Sequence, residues 1–140
     1  MTGTKRSCDV GVCGTCSVLI DGVLMSACLT LAVRCGGRHI TTVEGIGDLE
    51  GGLDPIQAAF VAHGATQCGY CTPGMIVAAR SLLAENPRPT EEEIRHYLAG
   101  NLCRCTGYAR IVSAIQAVSE GRTEPNLPPP VIVQVLHASP

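Results

Sequence analysis

Nine cysteines in a chain of 140 residues constrain the fold more than any other feature of this sequence. Eight of them fall into two sets of four: Cys8, Cys13, Cys16 and Cys28, then Cys68, Cys71, Cys103 and Cys105. Cys35 fits the spacing of neither set and is predicted to be an ordinary small thiol. Two sets of four with one left over are not typical of a disulfide scaffold, and such scaffolds are normally secreted. The count therefore favours two metal centres.

The first set has the spacing C-x4-C-x2-C, followed by a more distant fourth cysteine. Plant-type ferredoxins bind a [2Fe-2S] cluster with this pattern, in which one loop wraps the cluster. Gly11 and Gly14 lie in the loop and can adopt the positive φ that turns backbone N–H groups toward sulfur. The first set therefore predicts a [2Fe-2S] cluster that is closed by Cys28.

The second set combines C-x2-C with a distant C-x-C pair. Zinc modules usually offer two C-x2-C knuckles, so the C-x-C pair favours an iron–sulfur cluster over zinc. Each pair directly precedes a predicted helix, where free N–H groups and the positive end of the helix dipole stabilise thiolates. Structural zinc and disulfides remain the alternatives on cysteine spacing alone.

The segment 1–47 has the pattern of a small β domain. Two apolar runs at 16–28 flank Asp21-Gly22, which is a strong signal for a β-hairpin with a tight turn. The alternating residues 38–45 predict one further strand. Glycines then multiply at 46–53, where we expect a linker.

After the linker the hydrophobic period becomes helical, and four helices are predicted within 54–120. Predicted start signals are Asp54 before Pro55, Thr72 before Pro73, and a capping box of Thr90 with Glu93, and the fourth helix is predicted at Tyr108–Ser119. A four-helix bundle would bring the two loops of the second cysteine set to one end. The remaining segment, 121–140, holds five of the nine prolines and is predicted to be an extended tail.

Composition excludes several classes of function. A net charge of −2 with mixed signs gives no basic field to attract nucleic acid. Apolar runs are too short to insert into a membrane, and the first residues lack the apolar core of a signal peptide, so we expect a cytoplasmic protein unless a partner exports it. Neither a Ser/His/Asp arrangement nor a phosphate-cradling loop is present. The chain is therefore predicted to move electrons rather than atoms.

Five stretches carry a family resemblance: GTKRSCDVGVCGTCSVLIDG, SACLTLA, TVEGI, TQCGYCTPGM and AGNLCRCTGY. They resemble the small iron–sulfur subunits of the molybdenum hydroxylases, the xanthine oxidase family, from about Gly3 to Ser119. The resemblance implies an α+β fold, in which a plant-ferredoxin-like β-grasp domain is followed by a four-helix-bundle [2Fe-2S] domain.

The resemblance also implies a place for the chain in a larger complex. In this family a large subunit binds molybdopterin, a medium subunit binds FAD, and the complex is a dimer of heterotrimers. The second cysteine set would hold the cluster nearer molybdenum, and the first set the cluster nearer the flavin. Gln67 and Cys105 match positions that approach the pterin. Electrons would pass from molybdenum through both clusters to FAD.

The chain departs from the family pattern at its start. In relatives a further segment precedes the GTK stretch and supplies the first hairpin and the crossing helix of the β-grasp. The resemblance therefore leads us to expect either a longer native chain or a partner that covers the open sheet. The alternative function is a free-standing [2Fe-2S] ferredoxin-type shuttle, which the small net charge does not favour.

Overall fold

The computed structural model describes residues 1–47 and 52–122, in which three strands precede four α-helices. The predicted linker at 46–53 therefore lies partly outside the described residues, and the predicted tail at 121–140 lies almost entirely outside them. An α+β arrangement is observed in the described part. Among these residues, every helix is too short or too polar to cross a membrane.

The predicted β-hairpin is confirmed. Strand β1 (Ser17–Ile20) pairs antiparallel with β2 (Val23–Ser26). Asp21 and Gly22 form the turn with φ of 52° and 83°. Positive φ at both central residues matches the twist of the flanking strands, which explains why Asp-Gly is used here.

The third strand is shorter than predicted. Strand β3 (Ile40–Thr41) pairs antiparallel with β1, so that β1 lies in the middle of the sheet. The sequence predicted a strand over 38–45, but Val43–Gly45 forms a 3₁₀ turn instead. This turn packs against the helices and directs the chain toward them.

Two predicted helix starts are confirmed in detail. Helix α1 (Pro55–Ala62) begins after Asp54, whose Oδ1 accepts from the Ile56 amide at 2.9 Å. Helix α3 (Glu91–Tyr97) begins with the predicted capping box, since Glu93 Oε2 accepts from the Thr90 amide at 2.7 Å. Each cap satisfies N–H groups that have no partner inside the helix.

The predicted start of the second helix was wrong by one residue, whereas the fourth helix agrees with its approximate predicted range. Helix α2 (Thr72–Glu85) includes Thr72, and its N-cap is Cys71, which already has helical φ and ψ of −80° and −18°. Thr72 donates its hydroxyl to Thr66 Oγ1 at 3.3 Å instead of capping the helix. Helix α4 (Ala109–Ser119) begins after Tyr108, which has a φ of 67°.

The four helices enclose an aliphatic core. Helices α1 and α3 each pack against both α2 and α4, and the sheet packs on α2 through β1. The largest fully buried side chains are Phe60, Ile56, Met75, Ile94, Leu98, Ile111, Ile115 and Val77. The four predicted helices are therefore confirmed, and they share one core.

The start of α2 meets the first cysteine loop backbone to backbone. A Cβ atom on Gly74 would overlap the carbonyl oxygen of Gly14 and lie 3.2 Å from the Thr15 Cα. Only glycine fits at position 74, because any side chain would push the cysteine loop away from the helices.

We expect Gly74→Ala to destabilise the chain by about 1–3 kcal/mol, because the added methyl group overpacks this contact. Urea unfolding followed by circular dichroism measures the change. Gly100→Ala is the matched control, since its Cβ would meet nothing within 4 Å, and we expect a change below about 1 kcal/mol. Equal effects of the two variants would contradict the close contact.

Glu44 ties the first residues to the turn after β3. Its carboxylate accepts from the Thr42 hydroxyl at 2.6 Å and from the amides of Thr2 and Gly3, both at 2.9 Å. These hydrogen bonds, the one from Thr42 first, lower the pKa of Glu44 from 4.5 to about 2.

A carboxyl group with a lowered pKa stabilises the fold above its ordinary pKa, and this contribution is lost as the pH falls through the lowered pKa. Glu44→Gln should therefore cost at most about 1 kcal/mol at pH 7, since the group is exposed and screened by water. The difference from the unmodified chain should shrink as the pH falls from 4.5 toward 2. Urea midpoints at several pH values would show it, and a difference independent of pH would contradict it.

Candidate metal centres

The first cysteine set forms two pairs of thiols. The Cys8 side chain interacts with that of Cys13, and the Cys16 side chain interacts with that of Cys28. The hairpin produces the second pair, because it carries the chain back until the amide of Ala27 donates to the Cys16 carbonyl at 3.2 Å. The predicted first quartet is therefore brought together by the loop and the hairpin.

The loop surrounds the first thiol with backbone donors. The pKa of Cys8 is lowered to about 6 by the amide of Val10, then by the Cys13 thiol, and then by the amides of Cys13 and Val12. Each of these groups favours a thiolate at Cys8. This confirms the predicted turning of N–H groups toward sulfur.

Gly11 contributes to the same site through its conformation. Its φ is 76°, and its amide points to the Cys28 thiol. A Cβ atom here would lie 3.2 Å from the Leu29 Cγ, but the positive φ is the stronger reason for glycine, because other residues rarely adopt it. The pKa of Cys28 is nevertheless raised, mainly because its thiol is hydrogen-bonded to Cys16.

The second cysteine set also forms two pairs. Cys71 interacts with Cys103, and Cys68 interacts with Cys105. One member of each pair comes from the loop before α2, and the other comes from the loop before α4. Cys68 and Cys105 are exposed, whereas Cys71 and Cys103 are partly buried. The second site thus has an inner pair and a pair that faces the surface.

The two thiols of the inner pair differ in pKa. Burial first, and then the hydrogen bond with the Cys103 thiol, raise the pKa of Cys71 to about 12. Burial acts in the same direction on Cys103, but the hydroxyl and amide of Thr106 and the amide of Cys105 outweigh it, so that the pKa of Cys103 is lowered. Metal binding would remove the remaining proton, because thiolates are the ligands.

The pairing of the thiols bears on whether each site suits a structural zinc ion or a [2Fe-2S] cluster. Within residues 1–47 and 52–122, no three His, Cys, Asp or Glu side chains converge closely enough to hold one metal ion. A structural zinc needs four donors around a single point. A [2Fe-2S] cluster has two irons, each of which takes two ligands. The two thiol pairs at each site match this two-by-two ligation, and all nine cysteines are free rather than joined in disulfides.

Two threonines contact the cysteine sulfurs and were not predicted from the sequence. The Thr15 hydroxyl lies 3.2 Å from the Cys13 sulfur, and the Thr106 hydroxyl lies 3.0 Å from the Cys103 sulfur. Both threonines follow a cysteine of their set by two or three residues, which was the available signal. A hydroxyl in this place can stabilise negative charge on sulfur.

Tyr108 forms hydrogen bonds with the backbone of the loop that carries Cys103. Its hydroxyl accepts from the Cys103 amide at 2.9 Å and donates to the Asn101 carbonyl at 2.8 Å. Tyr108 has a left-handed backbone conformation directly before α4, with φ of 67°. Sequence reasoning had treated this residue only as the start of a helix.

Three further residues were singled out in the sequence. Gln67 and Cys105 are both exposed. Gln67 directly precedes Cys68 in the chain, and the Cys105 thiol interacts with the Cys68 thiol. Cys35 is partly exposed, and its thiol contacts the Leu31 carbonyl at 3.7 Å. No hydrogen bond within the described residues assigns Cys35 to either site.

Comparison with known proteins identifies the family. The [2Fe-2S] binding domain family matches residues 42–116. A probable xanthine dehydrogenase subunit from Bacillus subtilis is 54% identical over 112 residues, which cover 80% of this chain and 64% of that protein. The nicotine 6-hydroxylase small subunit of Paenarthrobacter nicotinovorans is 52% identical over 115 residues, which cover 82% of this chain and 68% of that protein.

A solved structure agrees with this result. Quinoline 2-oxidoreductase from Pseudomonas putida 86 superposes with a TM-score of 0.81 and 54% identity, covering 86% of this chain and 75% of that one. The chain belongs to the iron–sulfur subunits of the molybdenum hydroxylases. As a member of this family it carries a [2Fe-2S] binding domain. It spans about two thirds of the two curated relatives, 64% and 68% of their lengths.

Tyr108→Phe should destabilise the chain by about 1–2 kcal/mol, because the Cys103 amide and the Asn101 carbonyl lose a common partner. It should also alter the visible absorption of the bound cluster, since the loop that carries Cys103 is released. Urea unfolding and absorption spectra measure the two effects.

Tyr97→Phe is the matched control for this change. The Tyr97 hydroxyl also makes two hydrogen bonds, at 3.0 Å to Ser81 Oγ and 2.8 Å to Glu85 Oε1, away from the cysteines. It should lower stability without changing the spectrum. A Tyr108→Phe spectrum identical to that of the unmodified protein would show that the hydroxyl does not position the site.

Proposed function

We propose that the chain is the electron-transfer iron–sulfur subunit of a molybdenum hydroxylase complex. It relays electrons from the molybdopterin site of a large subunit through two [2Fe-2S] clusters to FAD on a medium subunit. One observation carries this proposal: two separate cysteine quartets, each made of two thiol pairs, lie in loops that are directly hydrogen-bonded to each other. Family membership supports the same function.

The eight cysteines are assigned by their set: Cys8, Cys13, Cys16 and Cys28 hold one cluster, and Cys68, Cys71, Cys103 and Cys105 hold the other. When bound, each cluster supplies one-electron oxidation and reduction. The chain's own groups keep sulfur in its charged form, through the amides around Cys8 and the Thr106 hydroxyl beside Cys103. These donors also tune the redox potential of a bound cluster.

The exposure of the second site supports a direction for the relay. Cys68, Cys105 and Gln67 all reach the surface at the same end of the helices. We assign this end to the large subunit, with Gln67 and Cys105 facing the pterin. Electrons would enter there and leave through the first site.

The surroundings of the first site suit a protein partner. Val10, Val12 and Leu29 are 64%, 59% and 63% exposed in or near the loop that carries Cys8 and Cys13. Apolar side chains grouped in this way are typical of a surface that another protein covers. We assign this surface to the medium subunit that binds FAD.

The proposal includes the domain division suggested by the family resemblance. Residues 1–47 form the ferredoxin-like β-grasp part, and residues 54–120 form the four-helix-bundle part. The packing of α1 and α3 on both α2 and α4 supports the second assignment. Assembly as a dimer of heterotrimers in the cytoplasm belongs to the same proposal.

Purification of the complex from its native source tests the proposal. We expect the chain to copurify with one molybdenum-containing and one flavin-containing subunit, and to contain about four iron atoms, as two [2Fe-2S] clusters require. Purification as a single chain that accepts electrons from an isolated reductase would instead support a free ferredoxin shuttle. Zinc in place of iron would overturn both functions.

Single cysteine variants test which site holds which cluster. In the purified complex, Cys105→Ser should abolish or shift one of two EPR signals and stop electron delivery from substrate to flavin, whereas the other signal survives. Cys28→Ser should affect the other signal. Cys35→Ser is the matched control and should leave both signals unchanged. Loss of both signals in Cys105→Ser would indicate misfolding, because cluster binding and folding are coupled in small domains.

A further inference from the structure

We infer that Thr15 and Thr106 set the reduction potentials of the two clusters separately, because each donates its hydroxyl to one cysteine sulfur of its own site. Both are positioning residues, since each acts through a cysteine. The inference rests on the proposed function, because it requires a [2Fe-2S] cluster at each site. It goes beyond that function by naming one residue per site that controls how readily the site accepts an electron.

The Thr15 hydroxyl is buried against the first site. It lies 3.2 Å from the Cys13 sulfur, and Thr15 as a whole is 5% exposed. Within residues 1–47 and 52–122, the Cys13 sulfur is the one hydrogen-bond partner of this hydroxyl. Because buried hydroxyls nearly always have a partner, the contact with sulfur accounts for a threonine at this position.

Helix α2 packs on Thr15 and shields it from water. A Cβ atom on Gly74, near the start of α2, would lie 3.2 Å from the Thr15 Cα. The Thr15 backbone is also fastened, since its carbonyl accepts from the Lys5 amide at 3.2 Å. With little water beside it, the hydrogen bond from Thr15 to sulfur acts at a low local dielectric and is stronger for that reason.

The Thr106 hydroxyl is oriented at the second site by a neighbouring amide. Its oxygen accepts from the Tyr108 amide at 3.2 Å and lies 3.0 Å from the Cys103 sulfur. A hydroxyl has one hydrogen to donate and can accept at the same time. Because the Thr106 oxygen accepts from the amide, its hydrogen is available for the sulfur.

The chemistry of the ligands decides which atom is the donor. A cysteine that ligates a metal does so as a thiolate, so its sulfur carries no proton. The threonine hydroxyl is therefore the donor in both contacts. Reduction of a site adds one electron, which substrate oxidation supplies in the complex, and the hydroxyl keeps its proton. Since a donor stabilises the added negative charge, it favours the reduced form and raises the reduction potential.

The two hydroxyls act on different sites. In the part of the chain that the structure describes, Thr15 contacts a sulfur of the first cysteine set only, and Thr106 contacts a sulfur of the second set only. A change at one threonine should therefore shift one potential and leave the other in place.

Valine tests this inference, because it keeps the branched shape of threonine and lacks the hydroxyl. In the purified complex, Thr15→Val should lower the midpoint potential of the EPR signal that Cys28→Ser affects. Thr106→Val should lower that of the signal that Cys105→Ser affects. At a fixed potential, the ratio of reduced to oxidised cluster should fall by up to about tenfold, which is about 59 mV for a one-electron couple. A redox titration followed by EPR measures both potentials without substrate turnover.

Thr30→Val is the matched control at the first site. Thr30 follows Cys28 by two residues, as Thr15 follows Cys13. Its hydroxyl donates to the Ser26 carbonyl at 3.0 Å rather than to sulfur. The variant should therefore leave both potentials unchanged.

Thr72→Val is the matched control at the second site. Thr72 directly follows Cys71, as Thr106 directly follows Cys105. Its hydroxyl donates to Thr66 Oγ1 at 3.3 Å. Both potentials should again be unchanged.

Serine variants separate the hydroxyl from the shape of the side chain. Thr15→Ser and Thr106→Ser keep the donor and should retain the potentials of the unmodified complex. Where a valine variant does not assemble, alanine at the same position takes its place with the same expectation.

Three results would overturn the inference: an unchanged potential in either hydroxyl-free variant, a shift of both signals by one such variant, or equal shifts in the serine and hydroxyl-free variants of one site. A single EPR signal in the unmodified complex would instead overturn the proposed function.

Discussion

The contact between the first cysteine loop and the helices is the constraint on which the rest of this structure depends. Gly14 meets the start of α2 at Gly74 and the loop before α4 at Asn101, in each case with no room for a further methyl group. In the described segment 1–47, the buried apolar residues are only Cys16, Val18 and Ile20. So small a core cannot stabilise a domain on its own. The sheet is therefore held by the helices and by the metal that its cysteines are proposed to bind.

At both sites hydrogen-bond donors lie beside cysteine sulfurs and stabilise their negative charge, although the donors are of different kinds. At the first site, backbone amides of a loop with positive φ at Gly11 point to the cysteines. At the second site, Thr106 and the Cys105 amide take that role at Cys103, because burial alone would raise the pKa of this thiol. In both places the donors offset the cost of placing a thiolate in a partly buried position.

The sequence allowed most of this arrangement to be predicted, because its signals are local. The hairpin at Asp21-Gly22, the cap at Asp54 and the capping box at Thr90 each depend on residues within a few positions of one another. The cysteine spacings likewise predicted two sets of four, but not the pairing of thiols within each set. The start of α2 was misplaced by one residue, because Cys71 is already helical and Thr72 turns its hydroxyl to Thr66.

The contacts between the two sites could not be predicted, because they join residues that are distant in sequence. Asn101 and Gly14 are 87 residues apart, and Tyr70 and Arg6 are 64 residues apart. A lone asparagine or tyrosine has no periodicity that would mark its partner. The hydrogen bond from the Leu102 amide to the Cys13 carbonyl uses only backbone atoms, so the Leu102 side chain carries no signal for it. These long-range hydrogen bonds hold the two quartets in place relative to each other.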